Sequence, residues 1–276
     1  MAIDYRLAAN GAENFDRWVR IMMAPFVDPI LQRVNLEEGK SVLDIGCGTG
    51  FFTRAARKEV GRTGKVIGLD PNGGMLEVAA ALSAGDELSI EWCEASVEDM
   101  PLDNLKFDAV ISTQTIMFFP DLEKGIRKIC AVMASKGRVS VSFFAGPMDR
   151  SPYMAAYTNR LEEILPGTTD LVRHAYRLDG EEVATIFRNS GLKAVKAEIL
   201  EFPVSLPPVI NFLPLHIAYL PVAPDFAALD KSIQESFYTS VASDLAGFVQ
   251  PQRNLLVPLA LHVVSGQHGA TELPEL

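Results

Sequence analysis

Short apolar runs alternate with amphipathic stretches in the first half of the chain, and this alternation predicts strands and helices in turn. The predicted strands are 41–45, 65–70, 88–92, 107–112 and 138–144. The predicted helices between them are 51–60, 73–84 and 121–135, and a turn is predicted near 96–101. Strands that alternate with helices form parallel βαβ units, and continuous apolar strands suit a sheet covered on both faces. The pattern therefore predicts an α/β fold with a doubly wound, mostly parallel sheet.

The segments that flank this core have other patterns. Residues 1–35 carry apolar side chains three and four positions apart, which predicts an N-terminal helical segment broken or kinked at Pro25 and Pro29. Beyond residue 150, the predicted helices are 151–165 and 179–190, and the predicted strands are 193–202 and 255–264. Pro258 in the last strand indicates an edge position, a bulge, or a strand that starts just after it.

A long apolar segment, residues 203–250, separates the last two predicted strands. It contains six prolines, at 203, 207, 208, 214, 221 and 224. A helix is predicted over 225–246, so we interpret the segment as a helical insertion before the last strand. It is either a lid over a lipophilic small-molecule substrate, or it buries its apolar face on the sheet or in a homodimer interface. The sequence thus predicts one domain over 1–276 with a binding core at 36–150.

The acidic composition narrows the classes of partner. The chain has 35 Asp and Glu against 25 Lys and Arg, a formal net charge of −10, and no run of basic residues. We therefore expect no nucleic-acid partner. The three cysteines, at 47, 93 and 130, lie far apart, so neither a disulfide framework nor a metal site is predicted. No apolar run is long enough for a membrane span, and the N-terminus does not resemble a signal peptide, so we expect a cytoplasmic protein.

The most specific motif is the turn after the first strand, Asp44-Ile45-Gly46-Cys47-Gly48-Thr49-Gly50. A nucleotide P-loop would have a lysine after its last glycine, and this turn has none. A dinucleotide loop has the spacing G-x-G-x-x-G, one residue longer, and Asp44 would repel a pyrophosphate. A phosphate-free ligand with an ammonium and a sulfonium, S-adenosylmethionine, would instead be favoured by Asp44. Asp70, at the end of the second strand, can accept both hydroxyls of a ribose, a feature shared with NAD enzymes.

Four segments, "VLDIGCGTG", "VIGLDPNGGML", "FDAVISTQTIMFFPD" and "GRVSVSFF", together resemble the successive motifs of class I S-adenosylmethionine-dependent methyltransferases. The resemblance is strong over 35–145, weak over 180–200, and closest to menaquinone/ubiquinone C-methyltransferases and small-molecule methyltransferases of natural-product biosynthesis. It implies a seven-stranded Rossmann-like methyltransferase fold, S-adenosylmethionine as cofactor, and methyl transfer to a lipophilic small molecule. An enzyme of this fold that catalyses cyclisation or rearrangement, and a non-catalytic cofactor-binding scaffold, stay open as alternatives.

The same resemblance implies which residues surround the methionine part of the cofactor. They are Asp44, Gly46, Cys47, Gly48, Thr113 and Gln114. The glycines and Cys47 would line the methionine, and Asp44 would orient the loop or the amino group of the cofactor. Thr113 and Gln114 would face the methionine carboxylate or the reacting methyl. The alternative for Asp44 is that it caps the following helix.

A second implied set surrounds the ribose and the adenine. Asp70 would hold the ribose, and Pro71 and Met75 would flank the adenine, although Met75 also suits a plain core position. The family usually has an aspartate after the third strand where this chain has Ser96. A serine hydroxyl can still accept a hydrogen bond but carries no charge. The predicted adenine neighbours are therefore Ala95, Ser96 and Val97.

Candidates for a general base come from the histidines. A base is needed only if the nucleophile is protonated and weakly acidic. We predict His174 and His216, because their segments could cover the cofactor pocket; the alternative is an ordinary core or surface histidine. Four tyrosines could instead orient a substrate hydroxyl, at positions 5, 153, 157 and 176.

Overall fold

The structure is a computed structural model that describes residues 11–85, 89–102 and 104–269, with the backbone alone for residue 171. Tyr5 and the start of the predicted segment 1–35 lie outside the described residues. The chain divides into two compact units. Unit 1 contains the described residues 11–26, 144–178 and 200–261, and unit 2 contains 27–143, 179–199 and 262–269, apart from the gaps above.

Seven strands form one sheet in the order β3-β2-β1-β4-β5-β7-β6. They are β1 Ser41–Ile45, β2 Lys65–Asp70, β3 Glu91–Glu94, β4 Phe107–Thr113, β5 Met133–Phe144, β6 Lys193–Leu206 and β7 Leu255–Gln267. Strands β1 to β5 pair in parallel, and the C-terminal strands include an antiparallel pair. This confirms the predicted fold class. The strand order reverses between β1 and β4, which is where open α/β sheets bind their ligands.

Eleven α-helices are found in the described chain. They are α1 Gly11–Met23, α2 Val27–Val34, α3 Phe51–Glu59, α4 Gly73–Ser83, α5 Leu122–Ala131, α6 Pro152–Ile164, α7 Asp170–Ala175, α8 Gly180–Asn189, α9 Val209–Tyr219, α10 Ala223–Ala227 and α11 Lys231–Asp244. In unit 2, α3 packs on β1 and β2, and α4 packs on β2 and β3. In unit 1, α9 packs on α1 and α11, and α6 also packs on α11. No helix of the described residues is both long and apolar enough to cross a membrane.

Buried apolar side chains explain why the central strands form. Four of the five residues of β1 and five of the six of β2 are buried, as expected for strands covered on both faces. Helix α5 presents Ile126 and Ile129 to the interior at helical spacing, and Asp121 caps its first turn by accepting from the amide of Lys124 at 2.9 Å. Local pattern and packing therefore agree in this part of the chain.

Two predicted helices have other bounds in the structure. The prediction 121–135 is wrong at its end, because α5 stops at Ala131 and residue 133 already belongs to β5. The amide of Phe107 donates to the carbonyl of Val132 at 2.8 Å, so pairing with β4 takes these residues out of the helix. The helix predicted over 225–246 is two helices, α10 and α11. They are separated by a short break that ends at Asp230, whose extended backbone (ψ 141°) cannot continue a helix.

Prolines account for two further differences. Strand β6 runs through Pro203 to Leu206, so the helical part of the predicted insertion 203–250 begins after it. Strand β7 starts at Leu255 and continues through Pro258, between β5 and β6, so the expected edge position or later start is wrong. The proline ring fixes φ near a value that an extended chain tolerates, and only one amide donor is lost from a strand of 13 residues.

Candidate functional site

The glycine loop lies at the carboxyl edge of the sheet, directly after β1. Its three glycines all have left-handed backbones, with φ of 69° at Gly46, 54° at Gly48 and 76° at Gly50. The amides of Gly46 and Cys47 both donate to the carbonyl of Leu69 in β2, at 2.7 and 3.0 Å. A Cβ on Gly46 would lie 2.1 Å from the Cγ2 atom of Thr115. Glycine is therefore required at this position by both backbone conformation and space.

Asp44 is a fully buried carboxylate beneath the loop. Its Oδ2 accepts a hydrogen bond from the hydroxyl of Thr53 in α3 at 2.6 Å, and its Oδ1 has no partner in the described chain. Burial raises the pKa of Asp44 to about 7; the Thr53 bond lowers this pKa and the nearby charge of Asp70 raises it. The alternative role as a helix cap is not seen, since Gly50 occupies the N-cap of α3 and no side chain caps it.

Asp70 connects the end of β2 to two other parts of the site. Its Oδ2 accepts from the amide of Gly48 in the loop, and its Oδ1 accepts from the amide of Asn72, both at 2.9 Å. Burial raises the pKa of Asp70, while these two backbone bonds lower it. An ionised carboxylate can accept about four hydrogen bonds. Two backbone donors therefore leave capacity for the two hydroxyls of a ribose.

Gln114 follows β4 in a strained conformation, with φ of 55°. Its backbone amide donates to the carbonyl of Ser142 at 2.7 Å, which fixes the residue at the strand end. Both polar atoms of its side-chain amide are buried, and neither has a hydrogen-bond partner among the described residues. Strain and unpaired buried polar atoms are both costly, and they concentrate at functional sites. Gln114 is thus the residue of the predicted set that most clearly requires a ligand.

The predicted ribose and adenine residues are distributed unevenly. Met75 and Val97 are buried, whereas Pro71 is exposed. The amide of Ala95 donates to the carbonyl of Asp70 at 3.2 Å, which places the loop after β3 beside the end of β2. Ser96 donates its hydroxyl to Asp99 at 3.0 Å. This hydroxyl therefore stabilises a local turn, and contact of the serine with adenine stays a prediction.

Both histidine candidates belong to unit 1, whereas the predicted cofactor residues belong to unit 2. His174 is exposed on α7. His216 on α9 is 1% exposed, and its Nδ1 is hydrogen-bonded to the hydroxyl of Tyr153 at 2.9 Å. Burial lowers the pKa of His216 to about 3 and raises that of Tyr153, so both side chains are neutral at physiological pH. Tyr157 and Tyr176 are also buried.

Two threonines support the site and were not predicted from the sequence. Thr53 bonds to Asp44 as described, and Thr115 donates to the carbonyls of Gly46 and Thr113 at 3.1 and 3.0 Å. Thr53 lies one turn inside the helix after the loop, on the face that α3 turns to the sheet. Helical periodicity could have indicated that placement. For Thr115 no local signal exists, since its contact depends on how β4 ends beside β1.

The residues at this edge fit S-adenosylmethionine. Asp44 and Asp70 supply negative charge for a ligand with an ammonium and a sulfonium, and neither carboxylate has its hydrogen-bonding capacity filled. Gln114 supplies an amide that can donate to a carboxylate or accept from an ammonium. A phosphate-bearing ligand would instead meet two buried acidic groups.

The comparison with protein families decides the assignment. A family model described as a methyltransferase domain matches residues 36–191, more than half of the chain. The chain belongs to the class I S-adenosylmethionine-dependent methyltransferases. The resemblance inferred from the motifs is thereby confirmed, and S-adenosylmethionine is the cofactor of this family.

Relatives with curated names include quinone methyltransferases. The 2-phytyl-1,4-beta-naphthoquinone methyltransferase of Arabidopsis thaliana is 34% identical over 112 residues, covering 39% of this chain and 43% of that protein. The demethylmenaquinone methyltransferase of Oceanobacillus iheyensis is 28% identical over 148 residues, covering 53% and 62%. The chain therefore spans less than two thirds of the length of these relatives. The solved structure of YcgJ from Bacillus subtilis shares the fold, with a TM-score of 0.59, 16% identity, and coverage of 88% and 97%.

Proposed function

We propose that this methyltransferase-family chain transfers the methyl group of S-adenosylmethionine to a lipophilic aromatic acceptor of the quinol type. The observation that carries the proposal is the group formed by Asp44, Asp70 and Gln114 around the glycine loop. Each is fixed by a hydrogen bond to the protein. Each also has a buried oxygen or nitrogen atom that can form a further hydrogen bond, for which the described chain supplies no partner. Such a preorganised set is what ligand binding at a switch point needs.

Each of these residues has a distinct task in the proposal. The bound cofactor supplies an electrophilic methyl group, so the protein contributes chiefly position and a dry environment. Asp70 holds the ribose with the lone pairs that Gly48 and Asn72 leave unused. Asp44 supplies negative charge beneath the methionine part, and Gln114 binds the methionine carboxylate or faces the acceptor. No metal is needed for any of these tasks.

The class of acceptor is supported by the relatives and by unit 1. Two of the relatives are named as methyltransferases of 2-phytyl-1,4-beta-naphthoquinone and of demethylmenaquinone. Unit 1 contains an aromatic cluster, which we define as Phe15, Trp18, Tyr153, Tyr157, Phe212, His216 and Tyr219. Aromatic rings favour flat, apolar ligands because they add stacking to burial. The apolar insertion 203–250 supplies three buried members of this cluster, so part of its apolar face packs inside unit 1, and its role as a lid stays a prediction.

His216 is our proposed base for a phenolic hydroxyl of the acceptor. A neutral imidazole can accept a proton, and the proposal requires the tautomer in which Nδ1–H donates to the hydroxyl of Tyr153, so that Nε2 accepts the proton. Burial makes the protonated form costly, so the proton would have to pass on rapidly. His174 is the second candidate, because its exposed ring has an ordinary solvent environment.

The experiment is an assay for S-adenosylhomocysteine with purified protein, S-adenosylmethionine and a panel of reduced naphthoquinones, reduced benzoquinones and simple phenols. We expect acceptor-dependent formation of S-adenosylhomocysteine and a product heavier by one methyl group. Asp70→Asn should abolish it. The matched control is Asp108→Asn, the same change at the amino end of β4, which lies two strands away in the sheet.

Three results would contradict the proposal in different ways. Binding of S-adenosylmethionine without formation of S-adenosylhomocysteine, with acceptor rearranged, would indicate the cyclisation alternative. Absence of binding in calorimetry would indicate a non-catalytic scaffold without a cofactor. Turnover that prefers hydrophilic acceptors would retain the methyltransferase and refute the lipophilic substrate class.

A further inference from the structure

Trp92 is a large side chain at the back of the glycine loop, and none of the roles above includes it. It lies in β3, where it pairs in register with Gly68 of β2, and Gly68 in turn pairs with Asp44 of β1. Side chains in one such row point to the same face of a sheet. The indole therefore lies on the same face of the sheet as the side chain of Asp44, which bonds to Thr53 of α3. Between these two residues lies Gly68, which has no side chain.

The indole occupies the space that two glycines leave. A Cβ on Gly68 would lie 2.5 Å from its Cζ3 atom and 2.6 Å from its Cε3 atom. A Cβ on Gly50 would lie 2.4 Å from its Cη2 atom. The ring thus spans from the middle of β2 to the last glycine of the loop. The Sγ atom of Cys47 also approaches Gly68, at 3.0 Å from the same added Cβ.

Gly68 differs from the loop glycines in one respect. Gly46, Gly48 and Gly50 have positive φ, whereas Gly68 lies in a regular strand and has no such requirement. A glycine inside a strand weakens it and often marks a close approach of another group. Here the approaching groups are Trp92 and Cys47, so glycine at position 68 is explained by the space for the indole and for the loop.

We propose that Trp92 is a positioning residue for the cofactor loop, whose indole replaces the missing side chains of Gly68 and Gly50 and holds residues 47–50 in the turn where Gly48 and Gly50 have left-handed backbones. Thr115 restrains the other end of the loop, by its bond to the carbonyl of Gly46 and its contact with that glycine's Cα side. The loop is therefore fixed by a side chain at each end. The statement about cofactor affinity rests on the proposed function, whereas the statement about the loop does not.

The first test measures affinity for S-adenosylmethionine by calorimetry. In Trp92→Leu the smaller side chain leaves Gly50 unsupported, and the apparent Kd rises as the fraction of molecules with a formed loop falls. If that fraction drops to about one tenth, the Kd rises roughly tenfold. The matched control is Phe202→Leu, which shortens another half-buried aromatic side chain, in β6 and in unit 1, and should leave this Kd unchanged. An unchanged Kd in Trp92→Leu, with wild-type binding intact, would refute the role in positioning.

The second test needs no cofactor, so it holds even if the chain does not bind S-adenosylmethionine. Gly68→Ala should lower the Tm of the wild type, because its Cβ meets the indole, and should lower it much less in the Trp92→Leu background. Equal losses in both backgrounds would show that the indole does not fill this space. The hydrogen-exchange rates of the Gly48 and Gly50 amides measure directly how stable the loop is. Exchange should accelerate in Trp92→Leu while the amides of β4 stay protected, and equal acceleration throughout unit 2 would indicate a merely structural tryptophan.

Discussion

Replacement of Asp44 by asparagine separates the stability of the protein from its ability to bind a cofactor. Asp44 is 0% exposed, and burial raises its pKa from 3.8 to about 7. A difference of about 3 pKa units, at about 1.4 kcal/mol each, corresponds to about 4 kcal/mol by which the ionised carboxylate disfavours folding. Because the folded-state pKa is the higher one, this cost is absent below about pH 4. It grows as the pH rises toward 7 and is complete above it.

Asparagine removes the charge but also weakens the bond that Thr53 makes. The pKa of about 7 already includes the Thr53 bond to the charged form, so the net gain of Asp44→Asn at pH 8 is about 4 kcal/mol. The gain falls by about 2 kcal/mol between pH 8 and pH 5.5, because the wild-type carboxyl is then protonated in the folded state. The variant should therefore be the more stable protein at pH 8 and lose about half of that advantage at pH 5.5. It should not bind S-adenosylmethionine at either pH.

Denaturant unfolding at both pH values, together with calorimetric titration of S-adenosylmethionine, measures the two effects. Asp108→Asn is the control, since it is the same substitution at an aspartate whose pKa is lowered rather than raised. Burial raises the pKa of Asp108, but hydrogen bonds from Ser41 and the charge of Lys40 outweigh it and hold this pKa below its usual value. That variant should lose stability at pH 8. A stability gain for Asp44→Asn that does not change with pH would refute the reasoning, as would intact cofactor binding.

Three further substitutions test other parts of the structure. Gly46→Ala should abolish binding of S-adenosylmethionine in calorimetry, whereas Gly167→Ala, with φ of 81° but no neighbour within 4 Å, should cost about 1 kcal/mol of stability and leave binding intact. Gln114→Leu should raise the Kd for S-adenosylmethionine roughly tenfold without lowering Tm, because it removes an unpaired buried amide; a lower Tm would contradict this. Tyr153→Phe should destabilise the protein by about 1–3 kcal/mol in urea unfolding by leaving its histidine partner unpaired. Tyr157→Phe, whose hydroxyl has no hydrogen bond within the described chain, should cost clearly less, and equal losses would argue against the pair.

Local sequence pattern predicted the elements whose stability is local. Strands β1 and β2 were predicted with their correct bounds. Each is a short apolar run that contains an aspartate near its end and is followed by a turn with glycine, and this local pattern is typical of a buried strand. The helix predicted to continue to residue 135 failed because Met133 pairs with Phe107, a contact between residues far apart in sequence. The single helix expected over 225–246 failed because the apolar period continues across the break at Asp230.

The residues of the candidate site also differ in whether local sequence pattern could predict them. Asp44, Asp70 and Gln114 could be identified because each lies at the carboxyl end of a strand or directly after it, and parallel strands bring these ends to one edge. Thr115 and Trp92 could not, because their contacts depend on strand register and on space left by distant glycines. The buried pairing of His216 with Tyr153 joins positions 63 residues apart and likewise has no signature in the sequence.

The division of the chain into interleaved units has a consequence for how the protein is made. The backbone passes from one unit to the other after residues 26, 143, 178, 199 and 261, so neither unit is a continuous stretch of chain. During synthesis, which proceeds at about 5–20 residues per second, neither unit can be completed until residues 255–267 have emerged. Among the described residues, strand β7 is the last element along the chain, and its residues belong to both units. Truncation within β7 should therefore leave both units unfinished and exposed to chaperones and proteases, whereas a chain with two sequential domains would keep its first one intact.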